Sequence, residues 1–523
     1  MTEFITADRI GQGESQTTEM FAVRGQMSRW RYPDSTKNLT PEHCRKMRDM
    51  NISERGTADV RRGFELYNST QLTSGENVVG LNQFNYPAYG IQRLVVTPTT
   101  IYTDDGTTRK DITGGATWSG DGNNRCQFAY LDRKTFIDNG NDQILTWDGD
   151  FTTPSSVAAL TGMPWTLVKG GIVSHQGLLV ALRPTEGGVD EITRIRWSDV
   201  NRTTKESDTS TWVPQNRTEI YEGGAPIVGG VDNFGRLWVM KEDGAYSGKV
   251  VVNHGRFEYE YMNELRGFEP IAKLGFISRP EFIWGIAREG AFVIRPDDSI
   301  EWPTFHNQNT WRGLKQSRLQ YAISWVREGD HQIRTLVSSS DNSTGHDLVM
   351  VWDWENGDLW FDELTEVMNF GARSVISDVE LDFFGTLDGF VHKGNGSGIL
   401  TDNGSEFEWE VDMSPNDLGA PNRRKNIVAL RTYIKQKTGS QSFNLSVELD
   451  QGKQPAVSAA MTGGTDQKYN TGLLYSAGLR YEGGTNQQLM THVNRIAETI
   501  APRWIGSDPI ELVGYDVEWT PLE

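Results

Sequence analysis

Eight histidines and three sets of neighbouring acids are the residues of this chain whose types could do chemistry. His43, His175, His254, His306, His331, His346, His392 and His492 fall in no HExxH or other ligand spacing, so no metal site is predicted. The acid sets are Asp104-Asp105, Asp297-Asp298 and Asp353/Glu355. General acid/base work needs two carboxylates facing each other across a cleft, with pKa values pushed apart. Adjacency in sequence does not provide that, and two of the sets precede turns, where acids serve the backbone. A sialidase-type Ser-x-Asp-x-Gly-x-x-Trp box does not repeat; Ser119-Gly120-Asp121-Gly122 is a fragment of one. The turns at Asp121–Asn124 and 139–142 lack the downstream Glu of a calcium loop. No GxSxG elbow or Walker loop occurs, and Gly11-Gln12-Gly13 lacks the third glycine of a dinucleotide fingerprint. The reading is a chain without catalytic residues, cofactor or metal, and not an enzyme.

The 523 residues carry a formal charge of −19, with 37% hydrophobic and 23% charged residues. That balance fits a folded chain. It repels free nucleic acid, although an acidic wall around a passage for DNA keeps the polyanion from sticking. Cys44 and Cys126 are the two cysteines and form no CxxC, so no disulfide framework is expected and assembly in a cytosol is the natural reading. The N-terminus has no apolar signal core, and no stretch reaches the roughly 18 apolar residues of a membrane span.

The elements come next. Gly (55) and Trp (17) are both abundant, which favours turns and broad half-buried β surfaces. From about 75 to 400 a short apolar strand repeatedly enters an acid-Gly or Asn-Gly turn and a second strand returns. The turns are Asp105-Gly106, Asp148-Gly149, Glu242-Asp243-Gly244, Glu289-Gly290, Asn356-Gly357 and Asp388-Gly389, with a degenerate copy around Gly187-Gly188. Such turns supply the positive φ of tight hairpins. Their mean spacing, roughly 40–50 residues, matches one four-stranded propeller blade. The predicted fold is therefore all-β: a β-propeller of about seven blades over 66–400, a β-sandwich-like domain over 401–523, and a short basic N-terminal arm over 1–65. A pair of stacked sandwiches is the structural alternative. Within the last domain, Leu489, Val493, Ile496 and Ile500 step by four, three and four, which predicts an inserted helix over 487–500. The stretch 460–486 reads as an exposed loop. In the arm, Thr40-Pro41-Glu42 predicts a short helix over about 41–49. Segment 24–62 carries ten Lys/Arg against five acids, and Arg29, Arg31, Arg61 and Arg62 are its candidate protein-interface residues.

The head of the chain carries a resemblance. Asn38-Leu39, Arg48-Asp49-Met50-Asn51 and Gly56-Thr57-Ala58-Asp59-Val60-Arg61-Arg62-Gly63-Phe64 look like the opening of tail-nozzle, or head-stabilisation, proteins of short-tailed bacteriophages. In that family a Gly-x-x-x-x-Arg-Arg-x-Gly-like segment precedes a run of propeller blades. Further similar stretches are Pro226-Ile227-Val228-Gly229-Gly230, Leu237-Trp238-Val239-Met240-Lys241, Ile195-Arg196-Trp197-Ser198-Asp199 and Val517-Glu518-Trp519-Thr520-Pro521-Leu522. The resemblance implies a structural virion protein of the viral tail. It implies a homo-hexameric ring below the portal-adaptor ring, beside tail fibre, tailspike or needle proteins, assembled in the host cytoplasm. Double-stranded DNA would pass through it transiently during genome ejection. Two competing functional readings are a propeller-type glycan-binding or glycan-cleaving tail protein and a cellular propeller scaffold, the latter without the regular Gly-His…Trp-Asp blades that would favour it.

Overall fold

A computed structural model describes residues 17–22, 44–52, 57–72, 75–151, 157–200, 207–253, 256–305, 308–396, 398–418, 423–436, 441–452, 454–463 and 486–522. Arg29, Arg31, Gly56 and most of the 460–486 stretch lie outside these residues. The described chain divides into two compact units: residues 63–351 with 364–399, and residues 1–62 with 352–363 and 400–523.

The first unit is a β-propeller of seven blades among the described residues: five are separate antiparallel sheets, and the last two are parts of one larger sheet. Blade one is Gly80–Tyr86, Gly90–Val96, Ile101–Asp104 and Arg109–Asp111, in that order. Blade two is Gln127–Leu131, Lys134–Asp138, Leu145–Trp147 and Ala158–Ala159. Blade three is Trp165–His175, Leu178–Glu186, Arg194–Trp197 and Arg217–Glu219. Blade four is Ile227–Asn233, Arg236–Lys241, Gly244–Asn253 and Arg256–Arg266. Blade five is Ile277–Arg279, Phe282–Ile286, Ala291–Ile294 and Ile300–Glu301. Blade six begins with Ile323–Arg327, Gln332–Val337 and His346–Asp353. The long strand Asp358–Ile376 follows, and its residues 368–376 open blade seven by pairing with Val379–Thr386. Val391–Gly394 comes next, and the outermost strand of blade seven is Phe64–Leu66 from the start of the unit. The two ends of the propeller thus meet in one sheet.

Stacking explains why the blades form at all. A short sheet has two apolar faces and buries both only between neighbours. Blades one and two enclose Val79, Tyr86, Leu94, Val96, Ile137 and Trp147. Blades seven and one enclose Leu81, Val95, Phe370, Leu381 and Phe383, so the ring is sealed by the same kind of core that joins its interior blades. Each fully buried aromatic contributes about 2–3 kcal/mol of transfer free energy. The turns fall where acid-Gly pairs were read. Gly106 (φ +92°) and Gly389 (φ +86°) take backbone angles that a Cβ would strain.

The second unit is a sandwich. One sheet orders Met50–Ile52, Ala58–Val60, Ile510–Pro521, Lys425–Gln436 and Asn486–Ala497, with Thr17–Ala22 also on Ile510–Pro521. The other includes Cys44–Arg48, Trp409–Met413, Ile500–Gly506, Gln441–Leu449 and Gln454–Gly463. Trp504 of one sheet packs on Tyr515 of the other, with ring centroids 5.4 Å apart, and donates its indole N–H to Thr432 Oγ1 at 3.0 Å.

Two expectations are corrected here. The helix over 41–49 is a strand: Cys44–Arg48 pairs with Trp409–Met413, burying Cys44 and Met47. The described part of the arm up to Arg62 therefore belongs to the sandwich unit, while Phe64 and Glu65 belong to blade seven. The helix over 487–500 is also a strand, Asn486–Ala497, paired along its length with Lys425–Gln436. Thr491, Val493 and Ala497 face inward while Ile496 is 48% exposed, the alternation of a strand. In both places the cross-strand ladder overrides the local helical signal.

Candidate functional site: the propeller cavity and its buried charges

The inner strands converge on a cavity of about 500 Å³. Asn82 and Gln83 reach it from blade one, Gln127 and Phe128 from blade two, and Gly230 and Val231 from blade four. Lys273 to Ile277 before and within blade five, Trp325 from blade six and residues 370–375 from blade seven complete the wall. The cations of that wall are neutralised within the propeller. Lys273 pairs with buried Asp138 at 2.8 Å, and Arg373 pairs with Glu380 at 2.5 Å. Amides and hydroxyls make up most of the rest of its polar surface.

Behind the cavity, Asp382 ties blades six and seven together. Its carboxylate accepts Trp325 Nε1 at 2.8 Å and Arg334 Nη1 at 2.9 Å, and Asn395 also donates to it. Replacing Trp325 with Phe keeps the ring packing and removes one donor to a buried charge. A loss of about 1.5–3 kcal/mol is expected. Urea unfolding of the two proteins measures it, and an unchanged midpoint would show that the bond contributes nothing.

The acid sets serve turns and ion pairs. Asp105 Oδ1 accepts the N–H groups of Thr107 and Thr108, and these bonds hold its carboxyl below the usual range. Asp104 is buried against Arg109 at 2.7 Å. Asp297 caps Ser299, and Asp298 pairs with Arg236 at 3.0 Å. Asp353 Oδ1 accepts the N–H groups of Glu355 and Asn356. Among the described residues, no cluster of three His, Cys, Asp or Glu side chains is arranged to hold a metal ion.

Arg61 and Arg62 are not equivalent. Arg61 is 3% exposed and lies inside the sandwich unit. It bonds Asp49 at 2.5 Å and Asp402 at 2.7 and 2.8 Å, and its guanidinium sits 3.8 Å from the centre of the Phe407 ring. This burial removes Arg61 from any docking surface and makes it an internal cross-link. Arg62 is half-buried. Arg48 joins the same region, bonding Glu363 at 3.0 Å and Glu408 at 2.6 Å. The sequence hid this because a run of arginines looks alike whether its partners are solvent, another molecule or acids more than 300 residues away.

These features define a β-propeller protein with a discontinuous β-sandwich unit. No protein-family model and no curated protein matches the sequence. Solved structures similar to it include the N-terminal domain of Nup159, at 11% identity and a TM-score of 0.38, covering 64% of this chain and 95% of that one. The WD40 domain of Neurospora crassa Pan2 is similar at 9% identity and a TM-score of 0.39, covering 65% and 96%. BBS1N in complex with ARL6DN is similar at 10% identity and a TM-score of 0.40, covering 65% and 99%. The propeller assignment rests on the strand order within the seven blades themselves.

Proposed function

We propose that this protein is a structural subunit of a short-tailed phage tail, assembling as a ring of six through which the genome leaves. The observation that supports this reading most is how the propeller uses its charges. The candidate carboxylates stabilise turns or pair with arginines, and the cations of the central cavity are internally neutralised. Such a propeller presents a rigid scaffold. The resemblance at the head of the chain supplies the particular assembly. A cyclic head-to-tail interface closes when the rotation per subunit divides a full turn. The −19 charge per chain would then surround the passage with excess negative charge and deny DNA the counterion release that drives adhesion.

Native mass spectrometry and negative-stain imaging of the purified chain test the proposal. The expected result is a six-fold ring with a central opening, either alone or on addition of portal-adaptor complexes. A monomer under both conditions, together with saturable binding to bacterial polysaccharide, would replace it with the glycan-binding reading.

A further inference from the structure

The inner strands of neighbouring blades carry carboxamides to the wall of the central cavity. Asn82 and Gln83 from blade one and Gln127 from blade two line it, and all three are half-buried. Each amide is held by its oxygen. Asn82 Oδ1 accepts the N–H of Gln83 at 2.7 Å. Gln83 Oε1 accepts the N–H of Val375 at 3.0 Å and the hydroxyl of Ser374, both on blade seven. Gln127 Oε1 accepts the N–H of Ile172, on blade three, at 3.2 Å.

The other end of each amide is open. Among the described residues, Asn82 Nδ2, Gln83 Nε2 and Gln127 Nε2 donate to no protein acceptor, and none of the three nitrogens is sealed from solvent. A carboxamide oxygen has two lone pairs, so Asn82 and Gln127 each keep an acceptor position as well. An N–H beside a lone pair matches a hydroxyl group, which both accepts and donates. Phe128, half-buried in the same wall, adds an apolar face. The two cations of the wall are already taken, Lys273 by Asp138 and Arg373 by Glu380. No Asp or Glu is among its described lining residues.

We propose that this cavity binds a neutral mono- or disaccharide, with its hydroxyls on the three amides and its C–H face on Phe128. The volume of about 500 Å³ falls in the range of small-ligand sites, which are concave and oriented by a few polar groups. A phosphorylated or carboxylated sugar would meet no unpaired cation there. Hydrolysis needs two opposed carboxylates, and the wall presents none, so the site holds sugar without cleaving it. All of these residues belong to the propeller unit, so the site does not depend on the ring proposed above.

The test is saturation-transfer NMR of the full chain, titrated with glucose, galactose, mannose, N-acetylglucosamine, lactose and maltose. Saturable transfer to at least one of these sugars is expected. Gln127→Met and Asn82→Leu keep the side-chain size and remove the donor and acceptor that face the cavity. Each should raise Kd for that sugar about tenfold, the worth of two ordinary hydrogen bonds. Thermal unfolding checks that each variant folds, and the two positions lie on different blades, so either can decide alone. Tyr221→Ser, at an exposed residue outside the cavity wall, should leave Kd unchanged. No saturable transfer to any of the six sugars would overturn the site. So would an unchanged Kd in the folded variants, or adenosine, a neutral nucleoside, binding more tightly than every sugar and losing that binding in the same variants.

Discussion

Replacing Arg61 with methionine is expected to destabilise the sandwich unit by about 3–5 kcal/mol, the range for leaving buried charges without their partner. Asp49 and Asp402 are 1% and 0% exposed, so solvent cannot take over from the guanidinium. Methionine retains much of the contact with Phe407 and isolates the electrostatic loss. Denaturant unfolding followed by tryptophan fluorescence measures it, because Trp409 and Trp504 belong to this unit. A loss below about 1 kcal/mol would mean that the cluster is balanced without Arg61.

The same cluster carries a pH dependence with a definite sign. Burial and the charge of Asp362 push the Asp49 carboxyl from its ordinary 3.8 up to about 7, against the pull of Arg61. The folded state therefore holds this proton more tightly than the unfolded chain does. The stabilisation linked to it is complete below about pH 4 and is lost as pH rises towards 7. Asp49→Asn cannot titrate. The difference in unfolding free energy between the native chain and Asp49→Asn should thus move against the native chain between pH 4.5 and 7.5. A constant difference across that range would show that Asp49 is ionised throughout.

The second large effect concerns the ring seal. Phe64 is 1% exposed and packs edge-on to His392 at 5.1 Å and beside Phe384 at 6.0 Å, within the strand that completes blade seven. Phe64→Ala is expected to cost about 3–5 kcal/mol through lost burial and the cavity left behind. Removing residues 1–66 should do more, because it exposes the unpaired edge of Val391–Gly394. Limited proteolysis should then cut first in blades seven and one. An uncut, fully cooperative truncated chain would show that the seal is dispensable.

Much of the propeller was legible in residues. Phe282–Ile286 and Ala291–Ile294 are strands with the bounds their apolar runs suggest, and the acid-Gly pairs mark turns in the blades. The turns fall at different places within a blade, second to third strand at Asp243-Gly244 but third to fourth at Asp105-Gly106. That is why the repeat looked uneven in length. The two helices failed for a common reason. In the 487–500 segment, Leu489 and Val493 fit both a period of 3.6 and a period of two, and only the partner strand decides between them. The Arg61 cluster and the cavity wall were not legible, because each joins residues more than 290 positions apart.

The sharing of blade seven by both ends of the propeller also sets a timetable for synthesis. Phe64–Leu66 emerges early, yet its partner Val391–Gly394 is made over 300 residues later. At about 5–20 residues per second the wait is on the order of tens of seconds. During it, the intervening blades can stack on one another as they appear, but the first strand has no edge to join. The nascent chain must therefore carry an open arc of blades, and completing the circle waits until Val391–Gly394 has been made.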